Sequence, residues 1–356
     1  MSLRGSILWP LSLPYGGLAH LRARAYRKGI FKQHRLDGIV VSVGNLTVGG
    51  TGKTPMVLWL AQNLAAEGKR VGILTRGYQG QASPDGDAGK STSDEVRLLH
   101  SRLGNRVAFG VGADRLARGK ELAAKGIEWF LLDDGFQHLR LARDADIVLL
   151  DATDPFGGGH LLPAGRLREP RTALARADII VITRSIHSPA VEAAVRRDSA
   201  APVFYARTEL EAVLPVPGSV ATSDESRPSA PKPFDPHLAK LFAFCGIGNP
   251  SAFLHDLREW GFQIVGQRVF PDHHRYSLAE VDALAAAATA SRAEGVIFTE
   301  KDVFNLSGLA WRLPNAHFCR IRLCLDREEE FWRALLGAVQ SRRTTNRGQL
   351  PPSASL

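Results

Sequence analysis

A glycine-rich segment near the start of the chain carries residues that bind nucleotide phosphates. It reads GNLTVGGTGKT from Gly44 to Thr54 and lies between an apolar stretch, 38–43, and a helical pattern that begins at Pro55. Backbone N–H groups of such a loop converge on phosphate oxygens, and the following helix N-terminus adds its positive dipole end. The predicted nucleotide-binding residues are Thr47, Val48, Gly49, Gly50, Thr51, Gly52, Lys53 and Thr54.

Two side chains of this loop have predicted roles of their own. Lys53 is expected to reach the β- and γ-phosphates, and the Thr54 hydroxyl is expected to bind Mg²⁺. The strict pattern G-x-x-x-x-G-K-[ST] has its first glycine where this chain has Thr47. The order of strand, loop and helix favours ATP binding despite that difference.

A second segment has the residues of a magnesium-binding strand end. The stretch WFLLDD, 129–134, is an apolar strand pattern that closes on Asp133 and Asp134. Carboxylates at the C-terminal edge of a parallel strand, beside a phosphate loop, can hold Mg²⁺ directly or through water. Taken alone, two aspartates before Gly135 are also compatible with an ordinary turn.

The elements that must position these groups follow an α/β order. Apolar strands alternate with helical patterns from residue 38 to about 207, which predicts a P-loop NTPase-type parallel sheet with helices on both faces. A proline-rich stretch separates this region from a second, smaller α/β pattern. The predicted parts are an N-terminal segment 1–36, a kinase domain 37–213, a linker 214–236, a C-terminal domain 237–341 and a disordered tail 342–356.

Composition narrows the possible partners. The 356 residues carry a formal net charge of +9, and the only three cysteines form no C-x-x-C pair, so neither structural disulfides nor a thiolate metal site is expected. Before Asp37 the chain holds seven Arg or Lys residues among aliphatic and aromatic ones. This pattern favours a helix on an anionic membrane surface, and a helix packed on the domain with a solvated basic face is the alternative.

Further segments point to one family. They are TRGY (75–78), DDGFQH (133–138), GRLREP (165–170) and PDHHRY (271–276), which follow VGNLTVGGTGKTP (43–55) in this chain. In this combination and order they resemble the tetraacyldisaccharide 4′-kinases of lipid A biosynthesis, from the N-terminal segment to about residue 305. The resemblance implies a nucleotide domain and a smaller α/β domain that face each other across a cleft.

The resemblance also implies a reaction and a location. The expected activity is transfer of the γ-phosphate of ATP, with Mg²⁺, to the 4′-hydroxyl of a tetraacylated glucosamine disaccharide 1-phosphate, which gives lipid IVA. The expected location is the cytoplasmic face of the inner membrane of Gram-negative bacteria, where the N-terminal segment would meet a substrate whose acyl chains stay in the bilayer. No nucleic acid and no obligate protein partner is expected.

The proton-accepting group is assigned by the same resemblance. Asp94 resembles the family's catalytic aspartate, although Ser93 and Val96 replace the Gly and Pro of the usual Gly-Asp-Glu-Pro pattern. A helix N-cap is the other interpretation of Asp94. His273 or His274 resembles the histidine that orients this aspartate, and an Asp–His pair suits removal of a proton from a sugar hydroxyl. His273 is the preferred partner, and His274 could instead bind substrate phosphate.

Other motif residues receive roles in phosphate and metal binding. Glu169 joins Thr54, Asp133 and Asp134 as a candidate Mg²⁺ ligand. Arg76 and Arg168 are expected to neutralise phosphate charge, and Gln137 and His138 to contact nucleotide or substrate. All of these residues could equally form surface ion pairs.

Two other function classes compete with the kinase. A P-loop switch or partitioning-type ATPase commonly has Lys-Gly-Gly in its loop, where this chain has Val48 before Gly49, and it would leave PDHH without a role. The positive charge also suggests nucleic-acid binding. However, the basic residues concentrate in an apolar N-terminus, and no recognition module is visible.

Overall fold

The structure, a computed structural model, describes residues 3–77, 93–216 and 234–347. The helices are α1 (Leu3–Arg27), α2 (Lys53–Ala66), α3 (Asp94–Leu103), α4 (Arg115–Ala124), α5 (Pro189–Arg196), α6 (Pro250–Glu259), α7 (Leu278–Ala290), α8 (Glu300–Asn305) and α9 (Glu328–Arg347). The strands are β1 (Ile39–Asn45), β2 (Val71–Thr75), β3 (Val107–Val111), β4 (Trp129–Asp133), β5 (Ala145–Asp151), β6 (Ile179–Thr183), β7 (Val203–Pro215), β8 (Lys240–Cys245), β9 (Gln263–Val269), β10 (Gly295–Thr299) and β11 (Ala316–Leu325).

The chain divides into two compact units. Unit 1 comprises 1–78, 102–208 and 323–356, and unit 2 comprises 79–101 and 209–322. The chain passes from unit 1 to unit 2 within β7 and returns within β11. Each unit is therefore built from segments that are distant in sequence.

Unit 1 contains a parallel sheet with β1 near its centre. Neighbouring strands follow the order β3, β2, β4, β1, β5, β6, β7, and every pairing is parallel. β4 and β5 are buried along their whole length, because a parallel sheet is covered on both faces. Val43 pairs with Asp133, so the end of β4 lies beside the start of the loop that follows β1.

Unit 2 has its own parallel arrangement and core. Its strands pair in the order β9, β8, β10, β11. The core includes Phe244, Phe298 and Leu284, none of which has measurable exposure. The predicted smaller α/β domain is therefore present.

The last helix corrects the predicted domain boundaries. α9 belongs to unit 1, where Trp332 stacks on Trp59 of α2 with ring centroids 5.4 Å apart. Arg342, near the end of α9, pairs with Asp178 at 2.6 Å and with the buried Asp146 at 3.3 Å. These contacts make residues 342–347 helical rather than disordered, whereas the rest of the predicted tail lies outside the described residues.

Two other predicted boundaries also shift. The segment 93–101, predicted to belong to the kinase domain, clusters with unit 2. The predicted linker begins at residue 214, but β7 continues to Pro215, and residues 217–233 of that linker lie outside the described part. The second half of β7 alternates apolar with charged residues instead of continuing the apolar run of its first half.

The N-terminal segment forms the predicted helix, α1, with Pro10 and Pro14 inside it. Ser12 anchors it to unit 1, since its hydroxyl donates to the Leu161 carbonyl at 3.0 Å and accepts from the Ala164 N–H at 3.2 Å. In the same helix, side chains of Leu13, Leu18 and Leu21 are 60–74% exposed. Among the described residues, we find no helix of sufficient length and hydropathy to span a bilayer.

Candidate active site

The glycine loop of unit 1 has the geometry of an anion site. It joins β1 to α2, and α2 begins at Lys53 without a side-chain cap. The first N–H groups of a helix have no partner within the helix, so an uncapped N-terminus can donate them to phosphate oxygens. Gly49 and Gly52 have φ angles of 120° and 86°, which favour glycine at both positions.

Neighbouring strand ends hold the second half of the loop. The Asn45 side-chain amide donates to the Thr51 hydroxyl at 3.0 Å, and the Thr183 hydroxyl donates to the Thr51 carbonyl at 3.1 Å. Arg184 donates to the Gly50 carbonyl at 3.1 Å and pairs with Asp151. Because Thr183 and Arg184 engage carbonyl oxygens and Asn45 engages a hydroxyl, these donors leave the N–H groups of the loop available to a ligand.

The GRLREP segment holds the first half of the loop. Thr47 forms an antiparallel bridge with Leu167, and the Val48 N–H donates to the Arg166 carbonyl at 2.8 Å. The Arg166 guanidinium donates in turn to the Val48 carbonyl at 2.9 and 3.1 Å. Bridged backbone of this kind does not need glycine, which explains why Thr47 can replace the glycine of the strict motif.

The predicted carboxylates lie at the end of β4. Asp133 is buried and accepts from the Thr75 hydroxyl at 3.5 Å. Asp134 lies 3.6 Å from the Lys53 ammonium and 2.8 Å from the Arg168 guanidinium. Burial alone would raise the pKa of Asp134, but the charges of Lys53 and Arg168 outweigh it and lower the pKa. Asp134 is therefore ionised at neutral pH, and Arg168 contacts this carboxylate.

The donor set at this edge suits Mg²⁺. Thr54 lies in the first turn of α2, and with Asp133 and Asp134 it supplies only oxygen ligands, which Mg²⁺ prefers. In the described part of the chain, no three His, Cys, Asp or Glu side chains form a ready metal cluster. Mg²⁺ usually binds through one or two carboxylates, substrate phosphates and water.

Glu169, the fourth predicted metal ligand, is paired with an arginine side chain. Its two carboxylate oxygens accept from Arg176 at 2.8 and 3.0 Å, and the pair is largely buried. Arg176 also lies over the ring of Phe136, 4.4 Å from its centroid. These contacts give Glu169 a structural partner, and its role as a metal ligand stays a prediction.

The remaining predicted phosphate-site residues of unit 1 differ in their surroundings. The Gln137 amide donates to the Asn45 carbonyl at 3.0 Å, which ties it to the start of the loop. His138 lies 3.3 Å from Arg115, and burial with the charges of Arg115 and Arg143 lowers its pKa to about 4. His138 is therefore neutral at physiological pH. Arg76 is exposed beyond the end of β2, and Tyr78 of the same motif lies outside the described residues.

Unit 2 brings the predicted acid–base residues together. The His273 Nδ1 atom lies 2.9 and 3.0 Å from the two carboxylate oxygens of Asp94. His274 instead lies 3.1 Å from Glu280 and stacks on Phe270 with centroids 4.7 Å apart. His273 is thus the histidine that pairs with Asp94, and His274 packs within the unit.

Asp94 is not the cap of its helix. Asp94 is the first residue of α3, and the Ser93 hydroxyl accepts from the Val96 N–H at 3.4 Å, as an N-cap side chain does. The alternative interpretation of Asp94 as an N-cap is therefore wrong. Ser93, which replaces the usual glycine of the family pattern, takes that role.

Several side chains around the phosphate loop of unit 1 and around Asp94 in unit 2 were not predicted from the sequence. Lys301 and Asn305 contact Asp94 in unit 2, and Arg115, Arg176 and Arg184 contact predicted site residues or the loop in unit 1. None lies within a glycine loop or a histidine pair, and their positions depend on long-range contacts. A short helix start rich in charge, TEKD at 299–302, is the one local signal for Lys301.

The parallel sheet and the loop between β1 and α2 define a P-loop nucleotide-binding protein. A model of the family described as tetraacyldisaccharide-1-P 4′-kinase matches residues 4–340. The tetraacyldisaccharide 4′-kinase of Geobacter metallireducens is 40% identical over 323 residues, which cover 86% of this chain and 90% of the relative. The corresponding protein of Desulfotalea psychrophila is 36% identical over 325 residues, covering 87% and 90%.

A solved structure agrees with these relatives. The crystal structure of LpxK from Aquifex aeolicus in complex with ATP aligns with a TM-score of 0.67 and 30% identity, covering 94% of this chain and 99% of that one. The chain therefore belongs to the tetraacyldisaccharide-1-phosphate 4′-kinase family, and it is an ATP-binding kinase of lipid A biosynthesis. This assignment decides against the switch-type ATPase and the nucleic-acid-binding protein.

Proposed function

We propose that this kinase transfers the γ-phosphate of ATP to the 4′-hydroxyl of a tetraacylated glucosamine disaccharide 1-phosphate. The observation that carries the proposal is the uncapped α2 N-terminus, whose loop is bordered by Lys53 and the carboxylates at the end of β4. Family membership supports the acceptor, because the relatives are named for that disaccharide. The product is lipid IVA.

Unit 1 binds the nucleotide and neutralises its charge in this proposal. The loop 47–54 surrounds the phosphates, with the backbone N–H groups of residues 49–54 donating to their oxygens, and Lys53 donates to the β- and γ-phosphate oxygens. Thr54, Asp133 and Asp134 would hold Mg²⁺, which supplies charge neutralisation across the phosphates. Arg168 and Arg76 contribute further positive charge. Fixed positive groups stabilise the spreading charge of phosphoryl transfer without reorganisation.

Unit 2 removes the hydroxyl proton. The hydrogen bond that the His273 ring donates to Asp94 raises the pKa of His273 against the opposing effect of burial, so the imidazole is a stronger proton acceptor than a free histidine. The His273 Nδ1 atom and the Asp94 carboxylate are within hydrogen-bonding distance of each other. The pair therefore has the geometry of a histidine oriented by a carboxylate, which suits general-base catalysis.

Helix α1 supports an encounter with the acyl chains. Exposed leucines at positions 13, 18 and 21 share the helix with exposed Arg22, Arg24 and Arg27. Leucines favour the headgroup–acyl boundary, and arginines favour anionic lipid. We place the enzyme peripherally on the cytoplasmic face of the inner membrane through this helix.

The acceptor is tested by product analysis. Purified protein is incubated with Mg-ATP and tetraacyldisaccharide 1-phosphate in detergent micelles, and the lipid is examined by mass spectrometry. We expect a product heavier by one phosphate, located at the 4′ position by fragmentation. Lys53→Met is the matched control, since it removes the phosphate-binding charge and keeps the aliphatic stem. The proposal would be contradicted if the wild-type protein consumed ATP while the lipid gained no phosphate.

The membrane contact is tested separately with vesicles. Leu18→Glu with Leu21→Glu should reduce sedimentation with vesicles that contain anionic lipid, because charged side chains disfavour the interface. Leu238→Glu is the control, since Leu238 is 83% exposed in unit 2. Equal sedimentation of both variants with wild type would show that α1 is not the contact.

A further inference from the structure

The end of β6 contacts the phosphate loop through two consecutive residues. The Thr183 hydroxyl donates to the Thr51 carbonyl at 3.1 Å, and the Arg184 guanidinium donates to the Gly50 carbonyl at 3.1 Å. The partners are 132 and 134 residues apart in the chain. The end of β6 therefore holds two adjacent peptide units of the loop, the one that follows Gly50 and the one that follows Thr51.

These two contacts determine where the N–H groups of the same peptide units point. The loop peptides are trans, and in a planar trans peptide the C=O and N–H bonds point in opposite directions. Because the Gly50 carbonyl faces Arg184, the Thr51 N–H points away from β6. The Thr51 carbonyl faces Thr183, so the Gly52 N–H also points away from β6. Successive N–H groups on one side of the chain form an anion-binding concavity, and the left-handed φ of 86° at Gly52 is typical of it.

Arg184 is held in turn by a carboxylate that has anchors of its own. Asp151, at the end of β5, pairs with the Arg184 guanidinium, and the aspartate side chain is 8% exposed. Its other carboxylate oxygen accepts from the Thr153 N–H at 3.0 Å and from the Thr153 hydroxyl at 2.7 Å. The carboxylate is therefore fixed independently of the arginine. A planar guanidinium can engage Asp151 and Gly50 at the same time, which a single ammonium group does less well.

The backbone of Arg184 is in an unfavourable conformation. Its φ angle is 62°, in the left-handed region that costs energy for a residue with a Cβ atom. Such strain persists where surrounding contacts impose it, and it is concentrated at functional sites. The imposing contacts here are the ion pair with Asp151 and the hydrogen bond to Gly50. The strain and the contact with the loop thus occur at the same residue, which favours a functional role for Arg184.

We propose that Arg184 is a positioning residue for ATP, which fixes the Gly50 peptide so that the Thr51 N–H faces the phosphates. Thr183 acts in the same way on the next peptide, and Asp151 keeps the guanidinium in place. Arg184 acts through the loop and not by touching the nucleotide. Without the guanidinium the Gly50 peptide can rotate, and a carbonyl oxygen turned toward the phosphates would repel them. This inference rests on the proposed binding of the phosphates by the loop 47–54.

The test is the affinity of Arg184→Met for ATP and ADP, measured by isothermal titration calorimetry. Loss of a hydrogen bond from a charged donor predicts a Kd for both nucleotides higher by about 10- to 100-fold. The KM for ATP should rise with it. At saturating ATP, kcat should stay within about twofold of wild type, because the lost contact supports the ground state and the transition state alike.

Arg171 provides a matched control in unit 1. It pairs with Asp198 at 2.8 Å and donates to the Ala194 carbonyl at 2.9 Å, so it has the same kinds of partner as Arg184. Both of these partners lie outside the loop. Arg171→Met and Arg184→Met should therefore lose comparable stability in urea, and only Arg184→Met should lose affinity for the nucleotides. A merely structural role of Arg184 would leave the Kd of both variants at the wild-type value.

Arg184→Lys keeps a cation beside Asp151 and guards against a folding defect in Arg184→Met. The lysine should recover part of the lost affinity, because its ammonium group can still donate to a carbonyl oxygen. Affinity no better than that of Arg184→Met would overturn the proposal. A wild-type Kd in folded Arg184→Met, or a lowered kcat with an unchanged Kd, would overturn it as well.

The same measurements separate this inference from the proposed function. Wild-type protein that binds no ATP would refute the phosphate site itself. Wild-type protein that binds ATP but phosphorylates no lipid would refute the acceptor alone, since the calorimetry requires no lipid. Wild-type activity together with equal nucleotide affinities in all variants would refute the role of Arg184 alone.

Discussion

The phosphate loop should respond sharply to a single methyl group at Gly49. The φ angle of Gly49 is 120°, a region that L-residues rarely adopt, and a Cβ there would overlap the Arg166 guanidinium. Such backbone strain amounts to roughly 1–3 kcal/mol. In Gly49→Ala the free loop can relax to avoid the strain, so forming the phosphate-binding conformation then costs that energy.

The expected result is weaker ATP binding. Since 1.4 kcal/mol corresponds to a tenfold change in Kd, the strain predicts a Kd for ATP higher by roughly 5- to 150-fold. Isothermal titration calorimetry measures this change, and circular dichroism checks that the variant is folded. Relief of the Arg166 contact by rotation of that exposed side chain would place the result near the lower bound.

A second glycine provides the matched control. Gly68 follows α2 with a φ angle of 75°, and a Cβ there would meet no atom within 4 Å. Gly68→Ala should lower the free energy of unfolding by a similar amount but leave the affinity for ATP unchanged. Wild-type affinity in a folded Gly49→Ala would refute the argument that this loop conformation binds the phosphates.

Two further predictions concern stability. Arg342→Met should lower the free energy of unfolding in urea by about 1–3 kcal/mol, because it removes an ion-pair partner from Asp178 and from buried Asp146, although Asp146 keeps Arg143. Arg333→Met changes an exposed residue of the same helix and should have little effect. Equal losses of stability in the two variants would refute the role of the Arg342 ion pairs. Because the pKa of His138 is lowered to about 4 in the folded state, the unfolded chain binds its proton first as pH falls from about 6.5. The free energy of unfolding should therefore decline as the pH falls from about 6.5 to about 4, and it should decline less in His138→Gln. Identical slopes of stability against pH in the wild type and the variant would show that His138 is not the cause.

The sequence was sufficient for the fold class and the phosphate site because their signals are local. Apolar strands that alternate with helices predict a parallel sheet, and the loop before Lys53 predicts its own ligand. The carboxylates at the end of β4 could be placed beside that loop, since parallel strands end at the same edge. These predictions required no knowledge of distant contacts.

Other features depend on contacts that no local pattern encodes. The position of α9 in unit 1 arises from Trp332 stacking on Trp59 and from the ion pairs of Arg342, which are separated from their partners by more than 160 residues of chain. The choice between His273 and His274 requires the folded chain, because the adjacent side chains have different partners, Asp94 for His273 and Glu280 for His274. The pairing of Glu169 with Arg176 likewise required the folded structure.

The most direct measurement of the central claim compares two products of one reaction. ADP and lipid-bound phosphate are quantified together over time, with and without tetraacyldisaccharide 1-phosphate, in Mg-ATP and detergent. If the loop delivers the γ-phosphate to the lipid hydroxyl, the two products form in equal amounts and ADP formation depends on the lipid. ADP released at the same rate without the lipid, and no phosphate on the lipid, would contradict it.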